Sequence, residues 1–146
     1  MAKVVAVNIS EKKGVVKKPV NSINLMVDHG IEGDAHAGNW HRQVSLLANE
    51  SIDKMRGQGI DLDFGVFAEN ITTEGIEVFT LPVGTHIQIG DAILEVTQIG
   101  KKCHHGCEIR QIVGDCVMPR EGIFAKVLKN GQVQAGDSIT IIKEVE

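Results

Sequence analysis

Thiols, imidazoles and amines crowd one stretch of this chain: Lys101-Lys102-Cys103-His104-His105-Gly106-Cys107, followed by Glu108 and Arg110. Cations beside a thiol favour its thiolate form. A thiolate can attack a sulfur donor, carry a persulfide or ligate a soft metal. The ordinary alternative is a turn with chance thiols, because free cysteine often serves as a small buried hydrophobe. The five cationic or imidazole neighbours favour the chemical reading. Cys116 follows Asp115 and precedes Val117 and Met118, so it reads as the more buried and less reactive thiol. Pro119 and Gly122 frame a turn that presents Arg120 and Glu121, whose ordinary reading is a surface ion pair. Zinc is a rival occupant: Cys103, Cys107, Cys116 and His104 or His105 are all ligand types. The Cys-x3-Cys spacing with no second pair argues against it.

Two other polar groups stand out. In Gly30–Gly38 (GIEGDAHAG), Glu32, Asp34 and His36 alternate, so an extended backbone would set all three on one side. That side could hold a hard metal or a polar ligand, and a glycine-rich surface turn is an equally good reading. Trp40, His41 and Arg42 follow directly. In Glu69–Gly75 (ENITTEG), Asn70, Thr72 and Thr73 offer neutral hydrogen bonds suited to a pterin edge or a phosphate, although a capped turn would use the same residues. The chain has no Walker loop, no GxGxxG and no Gly-x-Ser-x-Gly, which removes support for a nucleotide cradle or a serine nucleophile.

These groups need a scaffold, and 146 residues suit one domain, taken as 1–146. Hydrophobic residues at 42% are enough for a packed core. A net charge of −4 and 3% aromatics disfavour nucleic acid as a partner. No apolar run approaches the roughly 18 residues of a membrane span, and the N-terminus shows no signal-peptide pattern. Three cysteines bunched between Cys103 and Cys116 do not make a secreted disulfide framework, so the expected setting is cytoplasmic.

The pattern is mainly β. Strands are expected at Lys3–Ile9, Ser22–Val27 and Gln43–Leu47. Ser10–Pro19 reads as an exposed lysine-rich turn, and Asp28–Arg42 as a long functional loop. Ala48–Arg56 is the one good helix, with Ala48, Ile52 and Met55 on one face and Gly57 and Gly59 beyond its end. Ile87–Ile93 and Val133–Ile139 echo each other, each broken by Gly-Asp, and two tight hairpins are expected there. Paired hairpins suggest a strongly curved or closed β-barrel. An apolar edge strand would also let two copies pair into a homo-oligomer.

Taken in order, GIEGDAHAG with His41 and Arg42, AENITTEG, Gly84 to Asp91, and a cysteine after a strand resemble the MOSC domain family. GKKCHHGCEI and GDCVMPREGIFAKVLKNGQVQAGD resemble its short bacterial stand-alone form. The resemblance covers nearly the whole chain. It implies a barrel-like β fold with a few short helices and a site for molybdenum cofactor or activated sulfur. It implies one cysteine that bears a persulfide or ligates molybdenum; Cys107 is favoured because Glu108-Ile109 continues the pattern, with Cys103 close behind. Arg42, Lys101, Lys102 and Arg120 would then receive the anionic groups of a molybdopterin-type molecule, and Asp34, His36, Asn70 and Thr72 would line its pocket. A sulfur-donor protein or a molybdoenzyme is the implied partner. The family's aminotransferase-like domain is not seen here, so no pyridoxal phosphate is expected. The rival functions are a molybdenum-dependent reductase of N-hydroxylated compounds, fed by partner proteins, and a structural zinc protein.

Overall fold

The computed structural model describes residues 2–12, 17–56, 65, 69–100 and 122–143. Among the described residues the protein is mainly β, with one α-helix. The strands are β1 (Lys3–Ile9), β2 (Lys18–Val20), β3 (Ser22–Met26), β4 (Gly30–Ile31), β5 (Val44–Ala48), β6 (Ile71–Glu74), β7 (His86–Ile89), β8 (Ala92–Ile99), β9 (Ile123–Lys129), β10 (Gly131–Gln134) and β11 (Ile139–Lys143). Helix α1 spans Asn49–Arg56, and a 3-10 turn covers Val78–Thr80. No helix among the described residues is long and apolar enough to cross a membrane.

An eight-stranded sheet runs β11-β7-β8-β9-β5-β6-β1-β2, and a three-stranded sheet runs β10-β3-β4. Strand β5 lies inside the larger sheet, and all five of its residues are buried. Burial on both faces explains why VSLLA is nearly continuous in apolar character rather than alternating. It pairs parallel to β6, and α1 supplies the crossover that a parallel pair needs. Helix α1 seats Ile52 with no exposed surface. Strands β7 and β8, by contrast, alternate buried and half-buried residues, as a sheet with one covered face should. The core joins both sheets: Val4, Leu46, Ile71, Ile87, Leu94 and Val127 of the larger meet Ile23, Leu25, Ile31 and Val133 of the smaller. Each such side chain contributes on the order of 1.5–3 kcal/mol by leaving water.

The first Gly-Asp motif makes the expected hairpin: Gly90 takes a φ of 58° and β7 pairs antiparallel with β8. The second does not. Strand β10 pairs with β3 and β11 pairs with β7, so Gly136-Asp137 carries the chain from one sheet to the other. Backbone bonds to β1 hold that corner: Gly136 N–H donates to the Val4 carbonyl at 2.7 Å, and Val4 N–H donates to the Asp137 carbonyl at 2.8 Å. The same corner explains why the sheet is not completed as a barrel ladder. Among the described residues, the start of β11 meets the start of β1 through the isolated Lys3–Ser138 bridge and the Ile139 N–H bond to the Ala2 carbonyl. Among the described residues, the remainder of β11 has only β7 beside it.

Close approach between the sheets fixes Gly131. A Cβ there would lie 2.4 Å from the Ala92 amide nitrogen and 2.7 Å from the Asp91 carbonyl carbon. Backbone cannot yield as a side-chain tip can. Gly131→Ala is therefore expected to cost at least about 2 kcal/mol, read as a lower urea midpoint with an unchanged slope.

Candidate functional site

Strand β8 carries a bulge. Val96 pairs with Ala125 and Gln98 with Phe124, which leaves Thr97 as the extra residue. A bulge re-aims the side chains around it, and here Thr97 itself and Gln98 hold the Trp40-His41-Arg42 segment. The Thr97 hydroxyl donates to the His41 carbonyl. The Gln98 side-chain oxygen accepts from Arg42 Nε at 3.1 Å and lies 2.9 Å from His41 Nε2. The Gln98 amide nitrogen in turn donates to the Gly100 carbonyl at 2.7 Å, which fixes which end of the amide faces Arg42.

The Arg42 guanidinium carbon lies 5.3 Å from the Phe124 ring centroid and 5.9 Å from that of Trp40. Such contacts hold a guanidinium through its face and leave its edge donors available. With Nε bound to Gln98, the two terminal nitrogens meet no acceptor among the described residues. The result is an anchored, half-buried fork suited to two oxygens of one anion. A cavity of about 320 Å³ is lined by the neighbouring Trp40, His41 and Thr97 with Val27, Asp28 and Leu128, and Arg42 itself is not in its lining.

The cysteine-bearing stretch leaves the sheet at this place. Gly100 follows β8 and Gly122 precedes β9, and the Gly100 N–H donates to the Gly122 carbonyl at 2.7 Å. Lys101, Lys102, Cys103, Cys107, Cys116 and Arg120 lie outside the described residues.

Asp34 and His36 belong to a different environment, together with a residue that the sequence did not single out. Lys17, expected on an exposed turn, is buried. Its ammonium lies 2.7 Å from Asp34 Oδ1, and neither side chain exposes any surface. The other Asp34 oxygen accepts the His36 backbone N–H at 3.0 Å, and Oδ1 also accepts the Ser10 N–H. Burial alone would raise the Asp34 pKa. The Lys17 ammonium, by its charge and its hydrogen bond, and the His36 backbone N–H outweigh that and hold the carboxyl far below the usual carboxylate range. Glu32 is exposed while Asp34 is committed to Lys17. Among the described residues no three His, Cys, Asp or Glu side chains gather as a metal site.

Asn70 and Thr72 are fully buried as well. Asn70 Oδ1 accepts from the Ser45 N–H and hydroxyl, and its Nδ2 donates to the Asn8 carbonyl at 3.1 Å. The Thr72 hydroxyl donates to Glu69 Oε2 at 2.7 Å and accepts from Asn8 Nδ2 at 3.1 Å. These bonds stitch β1, β5 and β6 together. Gly65 links this network to Lys17: its N–H donates to Glu69 Oε2, and its carbonyl accepts the Lys17 N–H at 2.8 Å. A Cβ on Gly65 would fall 2.3 Å from the Lys17 carbonyl oxygen. Thus the structure sets Arg42 at the open edge and gives Asp34, Asn70 and Thr72 protein partners in the interior. Lys17, Gln98, Asn8 and Ser45 carry no local signal of these roles; only the tertiary pairing shows them.

A family model described as the MOSC domain matches residues 33–140. Solved structures of similar fold include the YuaD protein from Bacillus subtilis, 20% identical with a TM-score of 0.78 over 95% of this chain and 94% of that one. YiiM from Geobacillus stearothermophilus is 17% identical, with a TM-score of 0.74 over 98% of this chain and 76% of that one. YiiM from Escherichia coli is 19% identical, with a TM-score of 0.72 over all of this chain and 72% of that one. No curated protein gives a significant sequence match.

Proposed function

The chain belongs to the MOSC domain family, and on that premise we propose that it binds a molybdenum–pterin cofactor or carries activated sulfur on a cysteine, at the sheet margin where β8 and β9 meet. The observation that carries this reading is the Arg42 fork, anchored by Gln98, Trp40 and Phe124, with no acceptor for its terminal nitrogens among the described residues. An anion held there would lie at the root of the segment that contains Cys103 and Cys107. The donor set fits the cofactor: a guanidinium edge for its phosphate, and a soft thiolate for molybdenum or sulfur. When bound, the cofactor would supply molybdenum redox chemistry or an acceptor position for sulfur. Lys101, Lys102 and Arg120 are proposed as further cations for its anionic groups. His36 is proposed as a lining residue, with Asp34, Asn70 and Thr72 shaping the wall from behind. The strand curl that brings Lys3 to Ser138 is proposed to continue into a barrel-like wall around this pocket.

As a sulfur carrier, the thiolate would attack the outer sulfur of a donor protein's persulfide. A new S–S bond forms on this chain, the donor's S–S bond breaks, and the donor cysteine leaves as thiolate. A sulfur-donor protein and a molybdoenzyme are the proposed partners.

Protein produced in a molybdenum-replete host tests the reading. Wild type is expected to retain molybdenum and an oxidisable pterin. Arg42→Ala is expected to bind the cofactor about 10- to 100-fold more weakly, since a charge-assisted contact is worth about 1.5–3 kcal/mol. Trp40 is the sole tryptophan and lies against Arg42, so its fluorescence should follow occupancy. Equal retention by Arg42→Ala, or stoichiometric zinc with no pterin in wild type, would defeat the proposal.

A further inference from the structure

Lys17 has more to do than neutralise Asp34. An ammonium has three N–H donors and no acceptor. Around Lys17 Nζ stand three partners: Asp34 Oδ1 at 2.7 Å, His36 Nδ1 at 3.1 Å and Ser10 Oγ at 3.2 Å. Each must therefore accept. Ser10 agrees, because its own hydroxyl proton goes to the Lys12 carbonyl at 3.0 Å. For His36 the consequence is specific: Nδ1 must carry a lone pair, and the ring proton must sit on Nε2. The alternative, an Nδ1–H donating to Asp34 Oδ2, would span 3.7 Å, beyond a hydrogen bond.

The backbone that carries the ring is also held in place. The His36 N–H donates to Asp34 Oδ2, and its carbonyl accepts the Trp40 indole N–H at 2.8 Å. Its side chain is partly open, and Nε2 meets no partner among the described residues. We infer that Lys17 is a positioning residue that locks His36 as the neutral Nε2–H tautomer, giving this loop a fixed, uncharged donor for an acceptor atom of a ligand. The chemical class follows: a carbonyl, a ring nitrogen or a phosphate oxygen is accepted, and a ligand amine or amide N–H is refused at that point. Two kinds of donor then flank Trp40, a cationic fork at Arg42 and a neutral one at His36. The ligand's identity rests on the function proposed above; the tautomer does not.

Long-range proton–nitrogen correlation spectra of ligand-free protein at neutral pH read the tautomer directly. His36 should show an unprotonated Nδ1 and a protonated Nε2. Lys17→Met combined with Asp34→Asn removes both buried charges while keeping the volume, and should turn the single tautomer into a mixture. A protonated Nδ1 in wild type overturns the inference, as does an unchanged single tautomer in a folded double variant. Should the double variant fail to fold, the wild-type spectrum still decides. A cofactor-free protein with the Nε2–H tautomer would sink only the function proposed above.

Discussion

Asp34→Ala should lower stability by about 3–5 kcal/mol, the range for removing one partner of a buried ion pair. The substitution strands the Lys17 ammonium with no exposed surface and without its closest acceptor. It also frees the Ser10 and His36 backbone N–H groups that the carboxylate now receives. Lys17→Met and Asp34→Asn together should cost much less than the sum of the two singles, because the orphaned charge disappears with its partner. Urea unfolding of the four proteins closes the cycle. Additive losses would mean that the pair is not coupled, against a separation of 2.7 Å.

The same pair sets an acid limit. The folded Asp34 pKa lies below its ordinary value of 3.8. A depressed carboxyl contributes stability that is complete above the unfolded pKa and is lost as pH falls through the folded one. Wild type should therefore lose stability progressively below about pH 4. Asp34→Asn should show a shallower decline over that range, measured by urea midpoints at neutral and acid pH. Equal slopes in the two proteins would contradict the assignment.

The other large effect concerns sulfur. Cys107→Ser should eliminate the extra sulfur mass acquired on incubation with a persulfide donor, whereas Cys116→Ser should leave it in place. A serine hydroxyl is far too weak a nucleophile at neutral pH to replace a thiolate. Loss in Cys103→Ser instead would move the role four residues along without disturbing the Arg42 site. Retention in the Cys103→Ser, Cys107→Ser double variant would remove both thiols from the proposed function. Intact-protein mass spectrometry distinguishes all of these.

Local patterning was enough for the elements that define the sheet. Lys3–Ile9 and α1 are found where β-branched alternation and helical spacing put them, to within a residue. The first Gly-Asp hairpin is also local, because its φ requirement is met within four residues. The second Gly-Asp looks identical in sequence, yet Val133 finds its partner in Ile23, more than a hundred residues away. Strand choice of that kind is made by packing and not by turn chemistry. Lys17 reads as one more exposed lysine because nothing within a few residues announces Asp34. Arg42 was legible only as a cation that could receive an anion. Its aromatic and Gln98 supports depend on the bulge at Thr97, which is a property of two strands and not of one.

The single hydrogen bond between Gly100 and Gly122 also bears on how such a protein can diversify. The strands next to these two glycines are paired with each other, and between the glycines the sequence has twenty-one residues. Replacing them with a shorter or longer sequence changes the closure entropy by only about 0.6 kcal/mol per doubling of length. The strand framework and the sequence between these two glycines are therefore separately mutable: natural variation, or a designer, can exchange that sequence while β8 and β9 stay in register.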